Sequence, residues 1–135
     1  MAEGVMRSKI KQHQLDWIVG SAGTESYHIG EPPFPLAQKI CARHGIDISA
    51  QRAKRFTRDA LANYDKIYAM AEDVYDEMRV IAGTASMDKV DLFLNELEPG
   101  HNQSVPDPYY GNEMNFVAVY DMINRTCDAI IENYK

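Results

Sequence analysis

Cysteine is scarce: the chain holds two, Cys41 and Cys127. Two thiols are too few for a disulfide framework, and a reduced, cytoplasmic protein is the simplest expectation. Neither cysteine has an arginine six residues on, where Asp47 and Asn133 stand instead. The Cys-x5-Arg loop, which pairs a thiolate with a bidentate anion holder, is therefore absent from these residues. Long apolar runs are absent too. No stretch reaches roughly 18 apolar residues, so no membrane span is expected. The opening MAEGVMRSKIKQH lacks the apolar centre of a secretory signal. Positive charge is in the minority, with 14 Lys and Arg against 20 Asp and Glu and a net charge of −6. Read along the chain, the cations are scattered and form no stripe for nucleic acid, and the acidic excess disfavours anionic membrane surfaces. His13, His28, His44 and His101 are dispersed without ligand spacing, so no metal site is expected. GSAG at 20–23 is too short and misplaced for a dinucleotide fingerprint or a P-loop, so no cofactor is expected. Internal repeats, low-complexity tracts and long linkers are also missing.

What is present suits one folded domain over 1–135. The hydrophobic fraction is 45% and the charged fraction 25%, ordinary for a globular chain able to bury a core. Helical periodicity places Ala2, Val5, Met6, Ile10 and His13 near one face of a helix over 2–14. LDWIVGSAG at 15–23 reads as a strand, and 24–34 as a loop. A helix follows over 35–45, with Gly45 as the residue that stops it. Thr57 is the expected N-cap of a short helix. Strands are expected at 65–71 and 89–97, with a helix over 72–83 between them. The clearest element is a helix over about 112–134, where Phe116, Tyr120, Ile123, Cys127, Ile130 and Tyr134 form one stripe. Short strands separated by helices predict an α/β domain: three layers, with a parallel sheet flanked by helices.

The stretch SVPDPYYGNE carries the most suggestive chemistry. One reading of P-D-P-Y-Y-G is a plain turn, with Pro and Gly as punctuation and Asp bonding its own backbone. The other is a general acid, Asp107, held by rigid prolines beside an aromatic wall. Tyr109 and Tyr110 would line a pocket or cap a core. Cys41 and Cys127 both fall inside expected helices, and Cys127 lies on the apolar stripe. Both read as packing residues.

Taken together and in order, four segments resemble the low-molecular-weight protein tyrosine phosphatases. MAEGVMRSKI is similar to the family's first helix, which follows its catalytic loop. WIVGSAGTESYHIGEPPFPLA resembles the second strand and its S-A-G-T…H-x-G-x-P loop. RHGIDISAQRAKRF resembles the H-G-I-D…A-R segment, and VPDPYYG the D-P-aromatic-aromatic-G loop. The resemblance implies a parallel sheet flanked by helices and hydrolysis of phosphotyrosine through a cysteinyl-phosphate. It implies that Asp107 protonates the leaving phenolate, that Tyr109 and Tyr110 flank the substrate ring, and that Tyr27 stands at the pocket mouth. It implies phosphotyrosine proteins as partners. The family's nucleophile and phosphate-holding arginine sit in a Cys-x5-Arg loop after a first strand, just ahead of the segment matched by MAEG. The chain as written is thus expected to lack that strand and loop and to have little or no phosphatase activity. A gap in the sheet is expected to favour self-association. The alternatives are a non-catalytic pseudophosphatase that binds partners, and a relative of the arsenate reductases. Departures from the family pattern include Phe34-Pro35-Leu36 after the G-x-P and Ala71 after Met70.

Overall fold

A computed structural model describes residues 1–25, 29–108 and 111–135. Helix α1 spans Ala2–Gln12, α2 spans Pro35–Arg43 and α3 spans Asp59–Asn63. Strand β1 (Ile67–Ala69) leads into α4 (Glu72–Ala82) and then β2 (Val90–Leu92). A 3-10 turn at Phe93–Glu96 precedes the last helix, α5 (Glu113–Tyr134). The two strands run parallel, with Ile67 opposite Val90, Tyr68 opposite Asp91 and Ala69 opposite Leu92. Their connection through α4 is the β-α-β unit that a parallel pair requires.

The sheet divides two apolar clusters, because successive strand residues point to opposite faces. Ala69, Val90 and Leu92 join Phe56, Leu61, Met78 and Ala82 on the side of α3 and α4. Tyr68 packs against the other cluster, built from α1, α2 and α5 with Phe93, Leu94 and Val105. In that larger cluster Val5 and Ile10 of α1 meet Ile40 and Cys41 of α2 and the stripe of α5. An ion pair of 2.6 Å between Lys9 and Asp128 joins the rims of α1 and α5. The fold is therefore α/β, a parallel sheet flanked by helices, as the alternation of elements predicts.

Several elements lie close to their expected bounds. Gly45 follows α2 with φ +76° and Gly83 follows α4 with φ +61°, the left-handed region where glycine ends helices without strain. Along α5, Phe116, Tyr120, Ile123, Cys127 and Ile130 are buried as the stripe requires. Tyr134 departs from it: the residue is 44% exposed, and its hydroxyl reaches Glu96 instead. His13 also lies outside the buried face of α1 and is exposed. Thr57 does not cap α3; the N-cap is Arg58, and Thr57 contributes its backbone carbonyl to Ala60.

The expected strand over 15–23 does not form as a ladder. Leu15, Trp17 and Val19 are half-buried while Asp16, Ile18 and Gly20 are exposed, an extended alternation of period two. A strand also needs a neighbour, and among the described residues this segment has only a single parallel bridge, Gly23 to Arg55. Its side-chain pattern is that of a strand, while its backbone lacks the partner. The edge of β1 opposite β2 is likewise unpaired among the described residues.

Candidate active site

The acid-bearing loop begins where β1 ends. The amide of Val105 donates to the carbonyl of Met70 at 2.8 Å, directly after the last residue of β1. Val105 is itself buried in the larger core. Beside it, the hydroxyl oxygen of Ser104 accepts the amide of Glu72 at 2.9 Å, so the loop caps the first turn of α4. No side chain at Ala71, the N-cap position of α4, does this locally. The loop thus docks beyond the carboxyl end of a parallel strand, the side on which open α/β sheets bind their ligands.

The far end of the loop is held by α5. Asn112 and Asn115 form a reciprocal capping box: the Asn115 amide donates to the Asn112 side chain at 3.3 Å, and the Asn112 amide to the Asn115 side chain at 2.9 Å. Gly111 is needed there, since a Cβ would stand 2.5 Å from Asn115 Oδ1. Glu113 then ties the helix to α2, accepting from Arg43 and, at 3.3 Å, from Lys39. These two cations, the Lys39 hydrogen bond first, hold the Glu113 carboxyl below the usual range. Phe34 stacks on Phe116 with ring centroids 5.6 Å apart, bracing the same end from the chain before α2.

Asp107 lies between these two anchors, exposed and flanked by Pro106 and Pro108, whose rings fix their own φ. One residue, Pro106, separates it from the Val105 anchor. On the other side the Gly111 amide donates to Pro108 at 2.8 Å. A carboxylic acid is therefore presented to solvent on a tethered loop. Tyr27, Tyr109 and Tyr110 lie outside the described residues. The sequence reading missed the anchors Ser104, Asn115, Glu113, Lys39 and Arg43. Only the N-E pair at 112–113, next to an apolar periodic run, signals the helix start in the sequence.

No reactive thiol faces the loop. Cys41 and Cys127 are both free and fully buried. Burial raises the Cys41 thiol and pushes Cys127 up to about 12. Both shifts keep the sulfur protonated at neutral pH, away from the thiolate, the form that attacks. Two grooves border the loop region. One, of about 330 Å³, runs between the 3-10 turn and α5 and includes Ser104, Pro106 and Arg125. The other, of about 320 Å³, carries Glu72, Asp76 and Asp91, a poor lining for an anion. Among the described residues no three His, Cys, Asp or Glu side chains gather as a metal-ligand set, and no helix is long and apolar enough to cross a membrane.

The chain can now be set beside known proteins. Two solved structures share its fold closely. A protein tyrosine phosphatase from Entamoeba histolytica superposes with a TM-score of 0.88 at 30% identity, covering 97% of this chain and 85% of that one. YfkJ from Bacillus subtilis gives 0.89 at 29% identity, covering 98% and 83%. The low molecular weight protein-tyrosine-phosphatase PtpA of Staphylococcus aureus is 37% identical over 134 residues, 98% of this chain and 82% of the relative. The family described as low molecular weight phosphotyrosine protein phosphatase matches residues 1–135. With the β-α-β frame, the docked D-P loop and the match along its whole length, the chain belongs to the low molecular weight phosphotyrosine protein phosphatase family.

Proposed function

We propose that these residues form the acid-bearing body of a phosphotyrosine protein phosphatase, with Asp107 as the general acid. The observation that carries this reading is the position of Asp107. It sits on a loop pinned at both ends and docked at the carboxyl end of β1, in a chain that matches the family from end to end. In this chemistry a cysteine thiolate attacks phosphorus and the bond to the phenolate oxygen breaks. Asp107 gives its proton to that oxygen, which would otherwise leave as an anion. The resulting carboxylate then takes a proton from the water that attacks the cysteinyl-phosphate. Tyr27, Tyr109 and Tyr110 flank the substrate ring in this reading, and a phosphotyrosine side chain on a protein is the substrate.

The nucleophile is not among these residues. Cys41 and Cys127 are sealed in the core and lack the following arginine, which supports the reading that the chain of 135 residues is inactive by itself. Their burial is also what favours a second reading, a pseudophosphatase whose loop serves partner binding. Fusing the first strand and Cys-x5-Arg loop of the Staphylococcus aureus relative ahead of Met1 separates the two. The catalytic reading expects the fusion to hydrolyse p-nitrophenyl phosphate and Asp107→Asn to slow a phosphotyrosine peptide by about 10²–10⁴-fold. A fusion whose turnover is indifferent to Asp107→Asn contradicts the assigned role. Self-association is part of the proposal, supported by the edge of β1 left unpaired among the described residues and by Ile18, 88% exposed in the extended 15–23 segment. Light scattering that reads a monomer at every concentration rules it out.

A further inference from the structure

Residues 52–58, RAKRFTR, hold four cations and no acid in a chain of net charge −6. Arg52, Lys54, Arg55 and Arg58 are all exposed. The cations elsewhere are scattered along the chain; this cluster is held by the fold as a fixed arm. The Ala53 amide donates to Glu31 at 2.8 Å and its carbonyl accepts Gly30 at 2.7 Å. The Lys54 carbonyl accepts Gly23 at 2.8 Å, and the Phe56 amide returns to Gly23 at 2.7 Å. Phe56 is buried in the smaller core and roots the arm. Four backbone bonds and one buried ring hold the cations in place before any partner arrives, which lowers the ordering cost of binding.

The positive charge is not spent internally. Among the described residues none of the four forms an ion pair; the cations that do include Arg7, Lys9, Lys39, Arg43, Lys66, Arg125 and Lys135. Arg52 Nη1 donates to the carbonyls of Ser49 and Gln51, both at 2.7 Å, which orients the guanidinium without neutralising it. Lys54 Nζ lies 3.5 Å from where a Cβ on Gly20 would stand, and Arg58 Nη1 lies 3.8 Å from the same point on Gly83. The cations therefore spread from the extended 15–23 segment to the end of α4. The arm also bonds both sides of the stretch that carries Tyr27, at Gly23 and at Gly30 and Glu31.

We propose that the 52–58 arm is a docking strip for an acidic peptide segment, the flank of a phosphotyrosine substrate. The identity of that segment rests on the phosphatase reading; the binding itself does not. At full extension seven residues span about 20 Å, the reach of a six-residue extended peptide. A short acidic segment meets only the arm. A nucleic acid would carry its charge on past it, onto an otherwise acidic surface, beyond the about 10 Å over which salt screens.

The test uses the whole chain and fluorescein-labelled hexaglutamate, which carries no phosphotyrosine, read by fluorescence anisotropy. Loss of phosphatase activity would therefore leave this result untouched. Neutralising the arm with R52Q, K54Q, R55Q and R58Q weakens binding by about tenfold or more, and so does raising salt from about 20 to about 300 mM. Neutralising the exposed Lys11, Arg79, Arg125 and Lys135 to Gln changes it less than about twofold. The variant R52K, R55K and R58K keeps the charge and retains binding, which separates lost charge from lost fold. No binding by the unaltered chain, equal weakening by both neutralised sets, or tighter binding of a DNA oligonucleotide than of hexaglutamate overturns the proposal.

Discussion

The hydroxyl oxygen of Ser104 accepts the backbone amide of Glu72 at 2.9 Å, a bond between residues 32 apart in sequence. It caps the first turn of α4 from the acid loop, where Ala71 at the N-cap position offers no side-chain acceptor. Ser104→Ala removes the acceptor and leaves an amide of the first turn to water. The expected loss is about 1 kcal/mol in urea unfolding, with faster hydrogen exchange over 104–108. Ser104→Asp keeps an acceptor at a helix N-terminus and retains the stability. Unchanged exchange in Ser104→Ala would show that Val105 alone fixes the loop.

Glu96 is the anchor of the opposite end of α5. Its Oε1 accepts Tyr68 at 3.0 Å and Tyr134 at 2.7 Å, and its Oε2 accepts Asn133 at 3.0 Å, while its side chain is only 9% exposed. Glu96→Ala leaves the part-buried Tyr68 hydroxyl without this acceptor and costs about 1–3 kcal/mol; Glu96→Gln keeps an acceptor and costs less. Burial first, then the Glu96 charge, raises the Tyr68 phenol above its usual value of 10.0. A group whose folded pKa is raised holds its stabilising proton below the unfolded value and loses that benefit as pH climbs past it. Stability therefore falls above about pH 10, and Tyr68→Phe flattens that fall in alkaline denaturation.

Glu113 supplies the acid-side counterpart. Its depressed pKa, from Lys39 and then Arg43, means the contribution is present above its unfolded value of 4.5 and lost as pH falls through the lower folded value. The pair is exposed, so the effect is small and salt-sensitive. Glu113→Gln should lower the thermal midpoint slightly at neutral pH and low salt, and not at all in acid below both pKa values. An equal effect at every pH would point to packing instead of charge.

Both thiols should be silent in the folded chain. Ellman's reagent at neutral pH is expected to find no fast-reacting thiol in the native chain and both cysteines once guanidinium unfolds it, since each is fully exposed only then. Rapid labelling of one native cysteine would contradict the buried placement and reopen it as a nucleophile.

Legibility in the sequence followed how local each feature is. The stripe of α5 and the stops at Gly45 and Gly83 depend on residues within a few turns, and they stand where the pattern puts them. At P-D-P-Y-Y-G spacing alone favours a plain turn, and the reading of Asp107 as an acid comes from the resemblance to a family. Failures came where a distant partner decides. Residues 15–20 alternate like a strand, yet a ladder needs a neighbour. Ser104 caps a helix it does not precede. Tyr134 continues the apolar period but is drawn to Glu96 by its hydroxyl. The four cations of 52–58 stand within seven consecutive residues, but that they are held by backbone bonds to Gly23, Gly30 and Glu31 is not legible there.

In the proposed reading Asp107 is the acid of a phosphotyrosine phosphatase, and neither buried thiol, Cys41 nor Cys127, is its nucleophile. Hydrolysis of p-nitrophenyl phosphate by the 135-residue chain, beside its Asp107→Ala variant, tests it most directly. The account predicts that both give the rate of buffer alone. Turnover that rises in proportion to protein and disappears in Asp107→Ala would contradict it, because some residue among these would then be attacking phosphorus.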